Sequence, residues 1–278
     1  MSLVTQTLAL AVPYVLAAMA GVVSERSGVV NIALEGLLLG GAFGATVGAI
    51  AGGPVVGVLA GAFAGIALSS LHGVVSLKLR ADHVVVGLGI NLLASGLTRF
   101  GLVALYDSAS NSARIPGQAG VVDPMLVVAM LSVIAVHFGL ARTRFGLQIR
   151  AVGESPEAAS SAGISVNRVR GMALVVTGAL AGLGGAALAL DNRQFSAEMS
   201  AGRGYIALAA VIVGRWRAVP TLLACLAFAL ADAIQIELQA SIQGYKQFVQ
   251  MLPYALTLAL VCGLVGRSRS PAALGRHG

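Results

Sequence analysis

The chain has 278 residues, 57% of them hydrophobic and 10% charged, and carries a formal net charge of +7. A typical soluble domain is about 25% charged, so this composition excludes a domain that covers its whole surface with polar side chains. The basic balance could signal nucleic acid, but in so apolar a chain the position of each arginine decides its meaning.

The uncharged runs are long: 20 residues from Gly171 to Leu190 and 22 from Ile50 to Leu71. About 20 apolar residues cross the hydrocarbon layer as a helix. The runs are continuous rather than alternating, which argues against a β-barrel. The predicted fold is all-α, a polytopic transmembrane bundle of about 8–10 membrane segments, one of them short or broken. In chain order the predicted spans are 5–23, 29–51, 54–76, 83–106, 122–141, 171–190, 204–214, 218–240 and 247–265. The first lacks a basic leader and runs into Ser24-Glu25-Arg26, so it reads as a span and not as a cleaved signal. The seventh is too short to cross as a straight helix; a break at that depth needs protein or water around its backbone. Residues 1–266 read as one membrane domain and 267–278 as a cytoplasmic tail expected to fray. The 36 glycines, interleaved with Ala, Leu and Val, suit helices packed at close range.

Lys and Arg set the orientation. One set of alternate connections holds Arg26, Lys78, Arg80, Arg142, Arg144, Arg150, Arg168, Arg170, Arg215, Arg217, Arg267, Arg269 and Arg276. The opposite set holds Arg114, Arg193, Arg203 and Lys246, while Arg99 lies inside a span near its outer end. A bias of 13 to 4 places the first set in the cytoplasm, with the N-terminus outside, provided that the short seventh segment crosses.

The one sizeable cytoplasmic segment is 142–170. It spells out a short helix: Ser155 as N-cap, Pro156 at the first helical position, Glu157 at the positive end of the dipole and Gly163 as the stop. Ala158, Ala159 and Ala162 give it a small-residue face. It is either a plain connector or a docking helix for a cytoplasmic partner.

Few polar groups lie in the apolar stretches. Asn31 and Glu35 follow Glu25 and Arg26 around the first turn, and an intramembrane carboxylate faces a cavity or a partner. Glu35 either lines a pathway or is held locally, by Arg26 or by backbone N–H groups. Asn91, Asp232, Gln235 and Glu237 are the others, with Asp232, Gln235 and Gln239 near one helical face. That face could glue helices or line a route for a polar solute. Cys225 and Cys262 read as small buried hydrophobes, and the four histidines lack metal-ligand spacing. A nucleotide-binding loop ending in Gly-Lys-Ser/Thr is missing, so any ATPase has to be another chain.

Four segments together resemble a known family: Ser24-Glu-Arg-Ser-Gly-Val-Val-Asn-Ile-Ala-Leu-Glu-Gly36, Gly87-Leu-Gly-Ile-Asn-Leu-Leu-Ala94, Arg150-Ala-Val-Gly-Glu-Ser-Pro-Glu-Ala-Ala159 with Ala162-Gly-Ile164, and Gly202-Arg-Gly-Tyr-Ile-Ala-Leu-Ala-Ala-Val-Ile-Val-Gly-Arg-Trp216. They resemble the permease subunits of bacterial ABC importers in the branched-chain amino acid, ribose and nucleoside group, nearest to the nucleoside and simple-sugar branch. Ala33 stands where that branch usually has Gly. The resemblance implies a multi-pass protein of the bacterial inner membrane working with ATP-binding subunits, a second and different permease, and an external solute-binding protein. It implies no enzymatic activity, no cofactor and no metal in this chain, and ATP bound by the partner. It also implies that Gly153, Glu154, Ser155, Pro156, Glu157, Ala158, Ala159 and Gly163 form the coupling helix gripped by the ATPase. The expected solute is a nucleoside, with a ribose-like sugar as the alternative. An ion-coupled transporter using Glu35 and Asp232 is the reading from a different class.

Overall fold

The computed structural model of the chain describes residues 2–116, 122–241 and 270–276, together with 251 and 259. Ten α-helices follow in order among them: α1 (Leu3–Arg26), α2 (Leu34–Gly52), α3 (Pro54–Gly73), α4 (His83–Tyr106), α5 (Val122–Arg142), α6 (Arg144–Glu154), α7 (Pro156–Ser161), α8 (Val166–Asn192), α9 (Arg203–Val213) and α10 (Ala218–Ser241). A π-helical turn, Val74–Lys78, extends α3. Seven of the helices are long and apolar enough to cross a bilayer, and α9 is a shorter apolar one. The expected span 247–265 lies outside the described residues.

Helices α1 and α8 form the centre. α2 and α3 pack on α8, α4 lies outside α2, and α5 and α10 flank α1. The α3–α8 contact is glycine on glycine. A β-carbon on Gly65 would sit 2.2 Å from the Gly178 carbonyl oxygen, and one on Gly182 would sit 2.3 Å from that of Gly61. Lipid tails are as apolar as leucine, so close backbone packing, rather than water exclusion, holds such helices together.

Two elements depart from straight crossings. The second span was expected from residue 29, but Gly28 turns the chain at φ +92° and α2 starts only at Leu34. The Leu34 side chain packs at Gly21, five residues before the end of α1. At 1.5 Å per residue, α2 therefore begins about 7 Å inside the bundle. The second departure is the seventh crossing. From the end of α8 the chain runs as loop through residues 193–202, pinned to the segment after α4: Ser112 N donates to Phe195 O (2.9 Å) and Ala197 N to Ser110 O (2.8 Å). Buried Phe195 meets Phe43 edge-on, with centroids 5.2 Å apart. Helix α9 then completes the crossing, passing Gly21 at Val211. The short predicted segment is thus the helical half of a broken crossing.

The basic connections gather as the alternation requires. Arg26, Arg150 and Arg217 surround one cavity, and Lys78 lies beside Asn167 at the same end of the bundle.

Gly65→Leu should overpack the α3–α8 contact and lower stability by about 1–3 kcal/mol, whereas Gly89→Leu, with nothing within 4 Å of its β-carbon position, should be neutral. Thermal unfolding of both variants in detergent checks this; equal melting temperatures would mean that the glycine contact does not hold the bundle.

Candidate functional site

The break in the seventh crossing is held by Glu35. Its Oε1 accepts from Ser200 Oγ (2.6 Å) and Gly202 N (2.8 Å), and its Oε2 from Gly204 N (2.7 Å). These donors open α9, so a carboxylate from the start of α2 caps the positive end of a helix that begins within the membrane domain. Gly204 is needed there, because a β-carbon would lie 2.4 Å from Glu35 N. Of the two ways in which Glu35 could be held, backbone N–H groups do so and Arg26 does not.

Asn91 closes the other side. Its Oδ1 accepts from Gly36 N (2.8 Å), while its Nδ2 donates to Ile32 O and to the Tyr205 hydroxyl, both at 3.0 Å. One side chain on α4 thereby ties the unwound stretch before α2 to the first turn of α9. Asn91, Ser95 and Arg99 recur at four-residue spacing along one face of α4. Arg99 pairs with Glu198, both side chains being more than half exposed, and Tyr205 is 45% exposed. Arg99 lies seven residues from the end of α4, about 10 Å along the axis. An exposed ion pair at that depth is costly against lipid, so this face meets water or another protein.

Asn31 is fully buried, and its side-chain amide has no hydrogen-bond partner among the described residues. Asp232 is placed elsewhere, between α1 and α10, where Tyr14 Oη donates to its Oδ2. Gln235 is half-buried on the same helix. The structure therefore joins Glu35 and Asn91 around the break but does not bring Asp232 or Gln235 to them. Among the described residues, no group of three His, Cys, Asp or Glu stands close enough together to hold a metal ion.

At the opposite end of the bundle, α7 is capped twice. Ser155 Oγ accepts from Ala158 N (3.3 Å). Ile164 N donates to Ala159 O and Gly163 N to Ser160 O, with Gly163 at φ +82°, which is a Schellman stop. The small-residue face is divided: Pro156 and Ala159 are buried inward, while Glu157, Ala158, Ala162 and Gly163 are exposed. Gly153 and Glu154, expected in the coupling helix, instead end a separate helix, α6, because Ser155 breaks the chain into an extended conformation before α7 begins at Pro156. Thr143 caps α6 by accepting from Gly146 N (3.0 Å), and Gly146, Ile149 and Gly153 form its buried face. A β-carbon on Gly153 would lie 2.0 Å from Arg26 O, so α6 rests directly on the end of α1.

The tail does not fray as expected: residues 270–276 dock here. Ala273 N donates to Gly153 O (2.9 Å) and Gly275 N to Gly28 O (2.9 Å). Fully buried Arg170 donates to Ser27 O (3.1 Å) and Arg276 O (2.9 Å). Glu25 is buried, and Trp216 Nε1 donates to it, while Arg26 Nε donates to Trp216 O (2.9 Å). Thr143 with the Gly146–Ile149–Gly153 spacing was the sequence signal for α6. Only three-dimensional contact could have shown the tail clamp.

A bundle with a broken crossing capped within the membrane domain, and a rigid helix projecting from one end, has the form of an ABC transporter permease. A solved structure of an inward-facing ABC transporter, described as of the metal-chelate type, shares the fold at a TM-score of 0.53 with 17% identity, covering 92% of this chain and 83% of its own. The chain belongs to the family described as branched-chain amino acid transport system / permease component, whose model matches residues 3–261. It is 36% identical to the guanosine ABC transporter permease NupQ of Bacillus subtilis, over 98% of this chain and 95% of that protein. It is 34% identical to the nucleoside ABC transporter permease NupC of Lactococcus lactis, with the same coverage. It is 34% identical to TsgC13 of Haloferax volcanii, described as a glucose ABC transporter permease, over 96% and 93%. This chain is a multi-pass permease subunit of an ABC transporter.

Glu35→Ala should remove three hydrogen bonds to a charged acceptor. Each is worth about 1.5–3 kcal/mol, so the variant should insert poorly or unfold well below wild type, with Glu35→Gln intermediate. Detergent unfolding curves test this, and wild-type stability in Glu35→Ala would remove Glu35 as the anchor of α9.

Proposed function

We propose that this chain lines one side of the import route for a nucleoside, in the bacterial cytoplasmic membrane, with its N-terminus outside and α7 in the cytoplasm. ATP is bound and hydrolysed by a separate subunit that seats α7 in a groove. An external solute-binding protein delivers the nucleoside, and a second, different permease supplies the other wall. The nucleoside permeases among its relatives favour this solute. The Haloferax relative favours a simple sugar as the second reading.

The observation that carries the coupling role is α7 itself. It is capped at both ends, anchored inward through Pro156 and Ala159, and presents Glu157 and Ala158 outward. A lever needs such rigidity. Displacement of α7 is passed through α6 to the turn at Ser27–Gly28, where Gly153, Arg170 and the tail converge. From there the non-helical stretch leads to Glu35 and so to α9, whose first turn carries exposed Tyr205. ATP binding favours one arrangement of this linkage only to the extent that the docked contacts differ between the two states.

Exposed Tyr205, Arg99 and Glu198, with half-buried Asn91 beside them, are the groups of this chain that would face the solute in transit. Few polar groups suffice, because the binding protein selects the solute and the route needs only to release it. An ion-coupled mechanism centred on Glu35 is disfavoured, since both of its oxygens are engaged in holding α9.

Ala158→Trp tests the reading. It enlarges the outward face of α7 and leaves buried Ala159 in place. Overpacking of about 1–3 kcal/mol corresponds to roughly fivefold to 150-fold weaker docking. Co-purification with the ATPase subunit and ATP-driven nucleoside uptake should fall together, with membrane insertion unchanged. Uptake that persists at the wild-type rate in Ala158→Trp, or that runs on an ion gradient without ATP, would overturn it.

A further inference from the structure

We infer that the cavity between the ends of α1, α5, α6 and α10 is a binding site for an anionic phospholipid of the leaflet on the α7 side, its phosphate held by Arg26, Arg150 and Arg217. The cavity measures about 210 Å³, and these three arginines line it together with His137 and Trp216. None of the residues lining it is acidic. Glu154 acts on Arg26 from outside the lining, and Glu25 is turned to Trp216. Arg26 spends its Nε on Trp216 O, and Arg150 Nε is buried without a hydrogen-bond partner among the described residues. Three guanidinium groups drawn to one concavity repel one another, and a phosphate ester, which takes guanidinium forks in pairs, is the ligand chemistry that relieves this.

The surroundings choose lipid over free phosphate. The cavity lies at the ends of α5 and α10, two helices long and apolar enough to cross a bilayer, and basic pockets of this kind between transmembrane helices bind lipid headgroups. Its walls continue into the membrane as exposed apolar side chains: Ile134 and Phe138 on α5, Val219 and Leu223 on α10, all between 47% and 62% exposed. Arg142 lies over the Phe138 ring, 5.7 Å from its centroid, and so extends the basic rim above the apolar track. Phosphate inside and acyl chains along that track is the arrangement a diacyl phospholipid requires. Arg150 belongs to the same helix as Gly153, so a bound lipid would brace the base of α7.

The test uses the full-length permease in nanodiscs and does not depend on the solute or on the ATPase. Native mass spectrometry of protein extracted from phosphatidylglycerol membranes should show retained phosphatidylglycerol. Each basic residue near the surface contributes about 1 kcal/mol, so R150Q/R217Q should retain it roughly thirtyfold less. Phosphatidylglycerol nanodiscs should also raise the melting temperature of wild type above that in phosphatidylcholine, and the double variant should lose that difference while matching wild type in phosphatidylcholine. Equal retention by wild type and variant, or equal melting temperatures in the two lipids, would overturn the site. Stabilisation of delipidated wild type by millimolar inorganic phosphate to the same extent would overturn the assignment to lipid.

Discussion

The constraint on which the rest of the structure depends is that backbone N–H groups cannot be left bare within a bilayer. This chain opens two helices inside its membrane domain and must satisfy the first turn of each. For α9 it uses a carboxylate from the start of α2, and for α2 an amide from α4. The two solutions interlock, because Asn91 bonds both Gly36 and Tyr205. A polar cluster that would be costly on its own is thereby consumed in holding irregular backbone, and what remains exposed is concentrated on one face.

The same economy governs the end that carries α7. A six-residue helix is too short to be stable in isolation. It persists because both of its ends are capped and its inner face is buried, and because α6 beneath it rests on the end of α1. The turn at Ser27–Gly28 is where three remote parts of the chain meet: Gly153, Arg170 and the tail.

Much of this was legible in the sequence. The span 83–106 and the capping of α7 follow from periodicity and from Ser155, Pro156 and Gly163, because these are local properties. The late start of α2 was not, since an apolar stretch such as Val29–Leu34 satisfies hydropathy whether it is helical or unwound. Glu35 was recognisable as an intramembrane carboxylate, but its partners lie some 165 residues further on and only packing could name them. Asp232 is an intramembrane polar group of the same kind as Asn91, yet it bonds Tyr14 rather than the Glu35–Asn91 pair, because a polar residue in a span carries no mark of which neighbour it will meet. Glu25 is buried against Trp216, a partner far along the chain that only packing could name.

The docked tail bears on the order in which the protein can be made. Residues 272–276 leave the ribosome long after Gly28 and Gly153, their hydrogen-bond partners. Until they emerge, Arg170 lacks its bond to Arg276, and the base under α7 is incomplete. The last segment of the described chain to be synthesised thus closes the platform laid down by the first, and a nascent permease completes the end that carries α7 only once all the crossings between them have been inserted.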